Sequence, residues 1–374
     1  MTVRDATPGE LADWDARTVD FPGGHVYQSR AWAEHRRTSG WIPRFLVDDA
    51  GGRTLALTRS WPIGGGGSAY LPRGPVGGTG EAVAARQVAV TDALGRDGID
   101  VLAADPEIPA ADAAFRRSIR AAGFRPIEEI QPSRHRVSLA LPTEPDEAVV
   151  FEGVARSTRQ RIRAAIDAGL TVIRHDSRLG TDGAGEGFAG PTEPAAAALD
   201  RFYDLLLETG ERRRFSFGPR RGFTEWWSAA HAAGHLVYLE ARAGDPAETG
   251  DPGALRESLA GLVLYRHGGR LSTVHSGDHA SARIEHPGAL HLLRWRAIQL
   301  AIREGATEMD LGGVDVSGAR REPREGDPLY GLYQHKRAFG GRWLELTGAH
   351  ERVFDARGYA LGRVTARLAT LVRR

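Results

Sequence analysis

The sequence predicts an α/β (α+β) chain built as two similar lobes, each a mixed sheet flanked by helices. Three observations carry this. The length of 374 residues suggests more than one domain. Hydrophobic residues make up 41% and charged residues 26%, the balance of a soluble globular chain with a large core. One order of elements also occurs twice along the chain.

The first copy begins at Arg44 with "RFLVDDAGGRTLALTRSWPI". Its two β-rich runs join across Ala50-Gly51-Gly52, which reads as a hairpin. "AYLPRGPV" supplies a third strand, "EAVAARQVAVTDALGRDG" a helix, and "IDVLAADP" a further strand. The second copy begins at "HLVYLEARAG". "LAGLVLYRHGGRLSTVHSGD" adds two strands that turn at His267-Gly268-Gly269. The helix "GALHLLRWRAIQLAIREGA" then leads to the strand "TEMDLGGVD". Each copy is strand, strand, strand, helix, strand. A helix that crosses to a parallel strand makes an α/β layer. In the second helix Leu290, Leu293, Ala297 and Leu300 mark an apolar face, with Arg294, Arg296 and Arg303 expected mostly elsewhere.

Two helical segments lie between the copies. "EAVVFEGVARSTRQRIRAAIDAGL" carries Arg156, Arg159, Arg161 and Arg163, and reads either as a solvated basic face or as a phosphate-facing helix. "AAAALDRFYDLLLETGERR" has an apolar stripe through Leu199, Phe202, Leu205 and Leu206. Ser177 to Pro194 and Gly244 to Gly253 lack apolar periodicity and read as surface loops. The C-terminal "GYALGRVTARLATLVRR" fits a docked terminal helix or one lying on an anionic membrane surface.

Several chemistries are excluded. With no cysteine there is no disulfide, thiolate nucleophile or cysteine zinc site. "RGPVGGTGE" precedes a helix but ends in Gly80-Glu81, where a P-loop needs Gly-Lys-Ser/Thr. The 13 histidines are scattered, so no metal is expected. The N-terminus has charges where a signal peptide needs an apolar stretch, and no run of about 18 apolar residues exists. The expected location is cytoplasmic. A net charge of +1 argues against a whole-surface nucleic-acid binder.

The most distinctive residue is Lys336. Lysine and arginine together number 49, and Lys336 is the single lysine. It is either a chance survivor of arginine-biased coding or a position where guanidinium fails. An ammonium is a compact charge that approaches one oxygen closely, as a developing oxyanion requires.

Its context, "LYQHKRAFGGRWLELTG", resembles the C-terminal signature of the Fem family of tRNA-dependent aminoacyltransferases. "VYQSRAWAEHR", "YLPRGPV", "STRQRIRAAIDAGLTV" and "LLRWRAIQLAIREGATEMDLGGV" resemble other elements of that family in the same order, over roughly residues 20 to 360. The resemblance implies two tandem GNAT-like lobes, at 1–150 and 151–348, with 349–374 returning to the first. It implies transfer of an amino acid from aminoacyl-tRNA, the co-substrate, to an amine of a UDP-linked or lipid-linked muropeptide. No cofactor is needed, and the acceptor allows peripheral contact with the inner face of the membrane.

The family's reaction-stabilising lysine maps onto Lys336, and its acidic residue at a strand end onto Asp105. Arg36, and Arg220 or Arg221, map onto diphosphate contacts. Tyr70 and Arg73 belong to the Tyr-x-Pro-Arg-Gly-Pro element. His335 stands where the family has Phe, and His275 near where it has Tyr. Two alternatives stay open: the same chemistry on a secondary-metabolite acceptor, and an acyl-CoA-dependent GNAT N-acyltransferase. The second lacks a clean pyrophosphate loop at either helix start.

Overall fold

A computed structural model describes residues 1–144, 146–179, 183–213, 216–243, 258–316 and 318–372. The expected loop at Gly244 to Gly253 lies outside them. The strands, in chain order, are β1 Val3–Asp5, β2 Ile42–Asp48, β3 Arg53–Ser60, β4 Gly67–Leu71, β5 Val101–Ala104, β6 Arg125–Pro126 and β7 Arg136–Ala140. Next come β8 Leu170–Asp176, β9 Leu236–Ala243, β10 Ser258–His267, β11 Arg270–Asp278, β12 Glu308–Asp310, β13 Arg342–Leu344 and β14 His350–Val353.

They form two seven-stranded mixed sheets, ordered β1-β2-β3-β4-β5-β14-β6 and β13-β7-β12-β11-β10-β9-β8. The repeated order is present in both. β2, β3 and β4 pair antiparallel, and the helix Gly80–Arg96 crosses to β5, parallel to β4. β9, β10 and β11 do the same, and the helix Ala289–Arg303 crosses to β12, parallel to β11. The fold is therefore α/β with two tandem GNAT-like lobes.

The chain divides into two compact units. One comprises Met1–Arg136, Asp315–Glu322 and Leu344–Arg374; the other comprises Val137–Val314 and Pro323–Trp343. The division falls at Arg136 rather than at residue 150. The cause is β7, which pairs with β12 through Leu139 and Met309. In the first unit β5 takes β14 from the chain end instead. The helix Ala356–Val372 docks there: Tyr359 stacks on Trp61 and donates to Glu351, while Gly362 lies against Trp61.

Each core follows from its pattern. On the helix Gly80–Arg96, Val83, Ala84, Gln87, Val90, Thr91 and Leu94 are buried at steps of three and four, and Thr79 caps its start. Val83, Val90 and Leu94 pack with Leu46, Leu71, Leu102 and Phe115. In the second unit Leu292, Ile298 and Leu300 pack on Leu239, Leu262 and Met309. Here the helix is buried on nearly every side, and Arg294 goes with it at 3% exposed. This corrects the expectation that Arg294 lies away from the packed face.

One buried side chain ties the first unit's loops to its sheet. Gln28 is fully buried; its Oε1 accepts from Leu55 N at 2.8 Å and its Nε2 donates to Pro72 O at 2.8 Å. Gly74 lies directly against this amide, with no room for a Cβ. The Gln-Ser element and the Tyr-Leu-Pro-Arg-Gly-Pro element are thus two sides of one contact. Gln28→Ala strands a buried donor and acceptor, each worth about 1–3 kcal/mol. A denaturant titration should show a loss of at least about 2 kcal/mol; unchanged stability would contradict this role.

Candidate functional site

In the first unit, β4 and β5 run parallel and end side by side, with Leu71 opposite Ala104. Asp105 follows β5 directly and is fully buried. Both of its oxygens accept from the Tyr70 hydroxyl at 3.0 Å, and Oδ1 also accepts from Arg73 N at 2.7 Å. Gln131 donates to the Tyr70 oxygen at 2.9 Å. Arg73 has φ +49, a left-handed conformation that costs a side-chain-bearing residue about 1–2 kcal/mol. Asp105 holds it from the backbone, and its own Nη2 anchors on Ser133 O at 2.9 Å. The sequence-predicted Tyr70, Arg73 and Asp105 are thus one hydrogen-bonded group.

Burial pushes the Asp105 carboxyl up to about 6, aided by Glu107 and opposed by Arg73, whose Nε is 3.7 Å away. Desolvation outweighs the cation here.

Arg36 sits half-buried at the end of the helix Arg30–Arg37, which Ser29 caps. Its guanidinium lies over the rings of Trp32, at 5.3 Å, and Trp41, at 6.0 Å. Its Nε has no hydrogen-bond partner. Burial and the neighbouring Arg59 both lower its pKa. Arg59 covers the same Trp41 ring at 4.4 Å. Arg59 also donates to Gly40 O and Ser39 O, so the two guanidiniums share one aromatic bed with one of them anchored on backbone. Sequence reasoning missed Arg59 because one arginine among 48 carries no mark.

Arg220 and Arg221 are differently placed. Arg220 pairs with Asp204 and with Asp200, the latter at 3.2 Å, and lies over Tyr203. Arg221 is 87% exposed and pairs with Glu225 on its own helix. Their charges are answered by carboxylates, so the structure gives neither the setting that Arg36 has. His275 lies on β11 among Phe217, Phe223 and Trp227, with ring centroids 5.5–6.1 Å away. Burial lowers its pKa to about 4, leaving a neutral ring in an aromatic pocket.

Lys336 lies in the helix Tyr330–Arg337 and is 5% exposed. Its Nζ donates to Gly313 O at 3.2 Å. The turn beneath it is set by Asp310, which accepts from Gly312 N at 2.7 Å. Gly312 has φ +84, and a Cβ there would lie 3.1 Å from Nζ and 2.8 Å from Thr273 O. Gly341 is equally closed, against Val137, Leu311 and Lys336 O. His335 packs edge-on against His291 at 4.6 Å and against Phe339 at 5.4 Å. Burial and nearby Arg294 keep it neutral.

Among the described residues no cluster of His, Asp or Glu has metal-binding form, and no helix is long and apolar enough to cross a membrane. At the start of the helix Gly80–Arg96, where a GNAT enzyme would seat pyrophosphate, the Asp112 carboxylate lies directly on Gly80. A negative charge there opposes a phosphate.

These features define a tandem GNAT-like protein with a buried ammonium in one unit and a buried acid in the other. No family model matches the chain. The lipid II:glycine glycyltransferase of Staphylococcus saprophyticus is 23% identical, the match covering 93% of this chain and 92% of that protein. The crystal structure of FemX superposes with a TM-score of 0.76 at 19% identity, covering 96% of this chain and 99% of that one. L-PGS from Bacillus licheniformis gives a TM-score of 0.50 at 11% identity, covering 99% and 98%. These likenesses run over nearly the whole chain and show that it has the FemX fold.

The Asp105 carboxyl offers a direct test. An unfolded aspartate releases its proton near 3.8, whereas Asp105 holds its proton to about 6. The folded chain binds the extra proton between those values. Stability from this group is present at low pH and is lost as pH rises through about 4 to 6. The stability difference between wild type and Asp105→Asn should therefore change across that window and stay flat above it. A carboxyl-carbon NMR titration of Asp105 with its midpoint near 4 would contradict the burial argument.

Proposed function

We propose that this protein transfers an aminoacyl group from aminoacyl-tRNA to an amine of a lipid-linked or UDP-linked peptidoglycan precursor. The observation that carries the reading is Lys336, a single lysine held buried over the Gly312-Gly313 turn. The name of the whole-length relative, a glycyltransferase acting on lipid II, supports the acceptor class.

The donor ester is already activated. The acceptor amine attacks the ester carbonyl, the new C–N bond forms, and negative charge gathers on the carbonyl oxygen. Lys336 faces that oxygen with one point charge. The C–O bond then breaks, the ribose oxygen leaves, and the proton lost by the amine ends on it. A fixed ammonium in a buried setting stabilises the charged intermediate without reorganisation.

Asp105 acts at one remove. Its oxygens are engaged by Tyr70 and Arg73 and none of it is exposed. It positions the Tyr70 hydroxyl and the Arg73 backbone, and the substrate meets those rather than the carboxylate. Arg36 and Arg59 take the acceptor's diphosphate, to which guanidinium forks are matched.

The test uses Lys336→Met and Lys336→Arg with charged tRNA and a UDP- or lipid-linked muropeptide, read as a mass gain of one amino-acid residue. Turnover should fall by a factor of about 100–1,000 in both, the usual cost of removing an oxyanion donor. Near-normal turnover in both variants would remove the role. Transfer from an acyl-CoA, with none from charged tRNA, would replace the donor.

A further inference from the structure

The second unit buries a cation that no carboxylate among the described residues answers. Arg294 is 3% exposed, and its Nε and Nη1 have no hydrogen-bond partner. His291 precedes it by three residues and so shares its face of the helix Ala289–Arg303. The His335 ring stands 4.6 Å from the His291 ring, at 82° to it. Arg161 approaches from the helix Arg156–Asp167, its Nη1 3.4 Å from His291 Nε2. Among the described residues no carboxylate pairs with Arg294, His291, His335 or Arg161. Burial alone lowers the Arg294 pKa to about 10.

A buried guanidinium without an anion is destabilising. Packing does not require one, since Met fills similar space. The arrangement has the composition of an anion site: a fork of N–H donors, two imidazoles, and no competing acid.

We propose that Arg294, with His291 and His335, binds a phosphate of the aminoacyl donor, the phosphodiester nearest the ester. This rests on the donor class given above and extends it. Arg294 and Lys336 are both among the cations acting on the His335 ring, so the anion site lies within electrostatic reach of the ammonium that faces the ester carbonyl. In an aminoacyl-nucleotide only a ribose separates that carbonyl from the nearest phosphate. In the acceptor a sugar and a peptide separate the amine from the diphosphate. The short link fits neighbouring residues, and the long one does not. Phosphate and ammonium together fix the two ends of the terminal nucleoside, which sets the ester carbonyl against Lys336.

The probe is 3′-aminoacylamino-3′-deoxyadenosine, whose amide is not transferred, with and without a 5′-phosphate. Calorimetry should show wild type preferring the phosphorylated probe by about tenfold or more, as expected for charge-assisted hydrogen bonds. Arg294→Met should abolish this preference, leave binding of the unphosphorylated probe unchanged, and melt no lower than wild type. His335→Phe keeps the ring packing and should reduce the preference, which preserves the test if Arg294→Met fails to fold. An undiminished preference in both variants, or none in wild type, overturns the proposal. If both probes bind equally, the donor reading stands and this site falls. If neither binds while CoA or pyrophosphate binds in an Arg294-dependent way, the donor reading falls and takes this proposal with it. Arg294-dependent binding of a UDP-muropeptide assigns the anion to the acceptor and also overturns it.

Discussion

The second unit's candidate site depends on one contact, the Lys336 ammonium against the Gly313 carbonyl. The backbone beneath it comes close at two glycines, which leaves a narrow seat for the cation. Asp310 ends β12 and turns the backbone by taking Gly312 N–H. Gly312 adopts a φ that disfavours side chains, with Thr273 O on one flank and Nζ on the other. Gly341 lets the chain after the helix close over Leu311. The segments "DLGG" and "HKRAFGG" are therefore two halves of one seat. A guanidinium is broader than an ammonium and would meet the backbone that those glycines bring close. This is a physical reason for one lysine among 48 arginines, and coding bias offers none.

The same chain shows how its structural arginines differ from the candidates. Arg266 is buried, and pairs with Asp176 at 2.8 Å and Glu304 at 2.5 Å. Arg174 shares both acids. Arg242 pairs with Glu240 and Glu193. In these networks each buried cation has its anion, as desolvation demands. Arg36 and Arg294 have buried nitrogens without hydrogen-bond partners, as Arg242 also does, but unlike it they have no carboxylate partner among the described residues. Arg220 and Arg221, singled out by sequence, fall with the paired group. In a chain this rich in arginine, position along the sequence says little about role, and the presence or absence of a carboxylate says more.

Much of this was legible in the sequence and some was not, for stated reasons. The repeat was visible because hairpin glycines and helical periodicity are local signals. The 136 boundary was not, because β7 joins β12 across some 170 residues of sequence. Tyr70, Arg73 and Asp105 came from a motif and a strand end, and the parallel register brings them together. Arg59 and Arg294 were missed. Both look like ordinary surface cations by periodicity, and only tertiary packing on Trp41, or burial within the second core, sets them apart. His275 and His335 stood out only as departures from an aromatic pattern. Both prove to be neutral rings packed among aromatic groups, so they occupy such positions without bringing charge.

Each unit places an aspartate at the end of a parallel strand pair and uses it to hold a turn. In each, a parallel strand pair ends at an aspartate: Asp105 beyond β5, Asp310 at the end of β12. In each, that aspartate accepts a backbone N–H from a residue with positive φ, Arg73 or Gly312. The carboxyl end of parallel strands is where open α/β sheets gather ligands, because chain direction changes there and backbone groups are left free. The two differ in reach: Asp105 crosses from beyond β5 to the turn that follows β4, whereas Asp310 holds the turn two residues further along its own chain segment. What differs is what rests on the turn. In the first unit the side chain of the turn itself, Arg73, reaches back to Ser133, and Tyr70 caps the acid. In the second the turn is stripped to glycine, and the space that a side chain would fill is given to an ammonium. The repeat thus keeps the sheet and its register, while the turns beyond the strand ends, which the register leaves free, carry different chemistry in the two units.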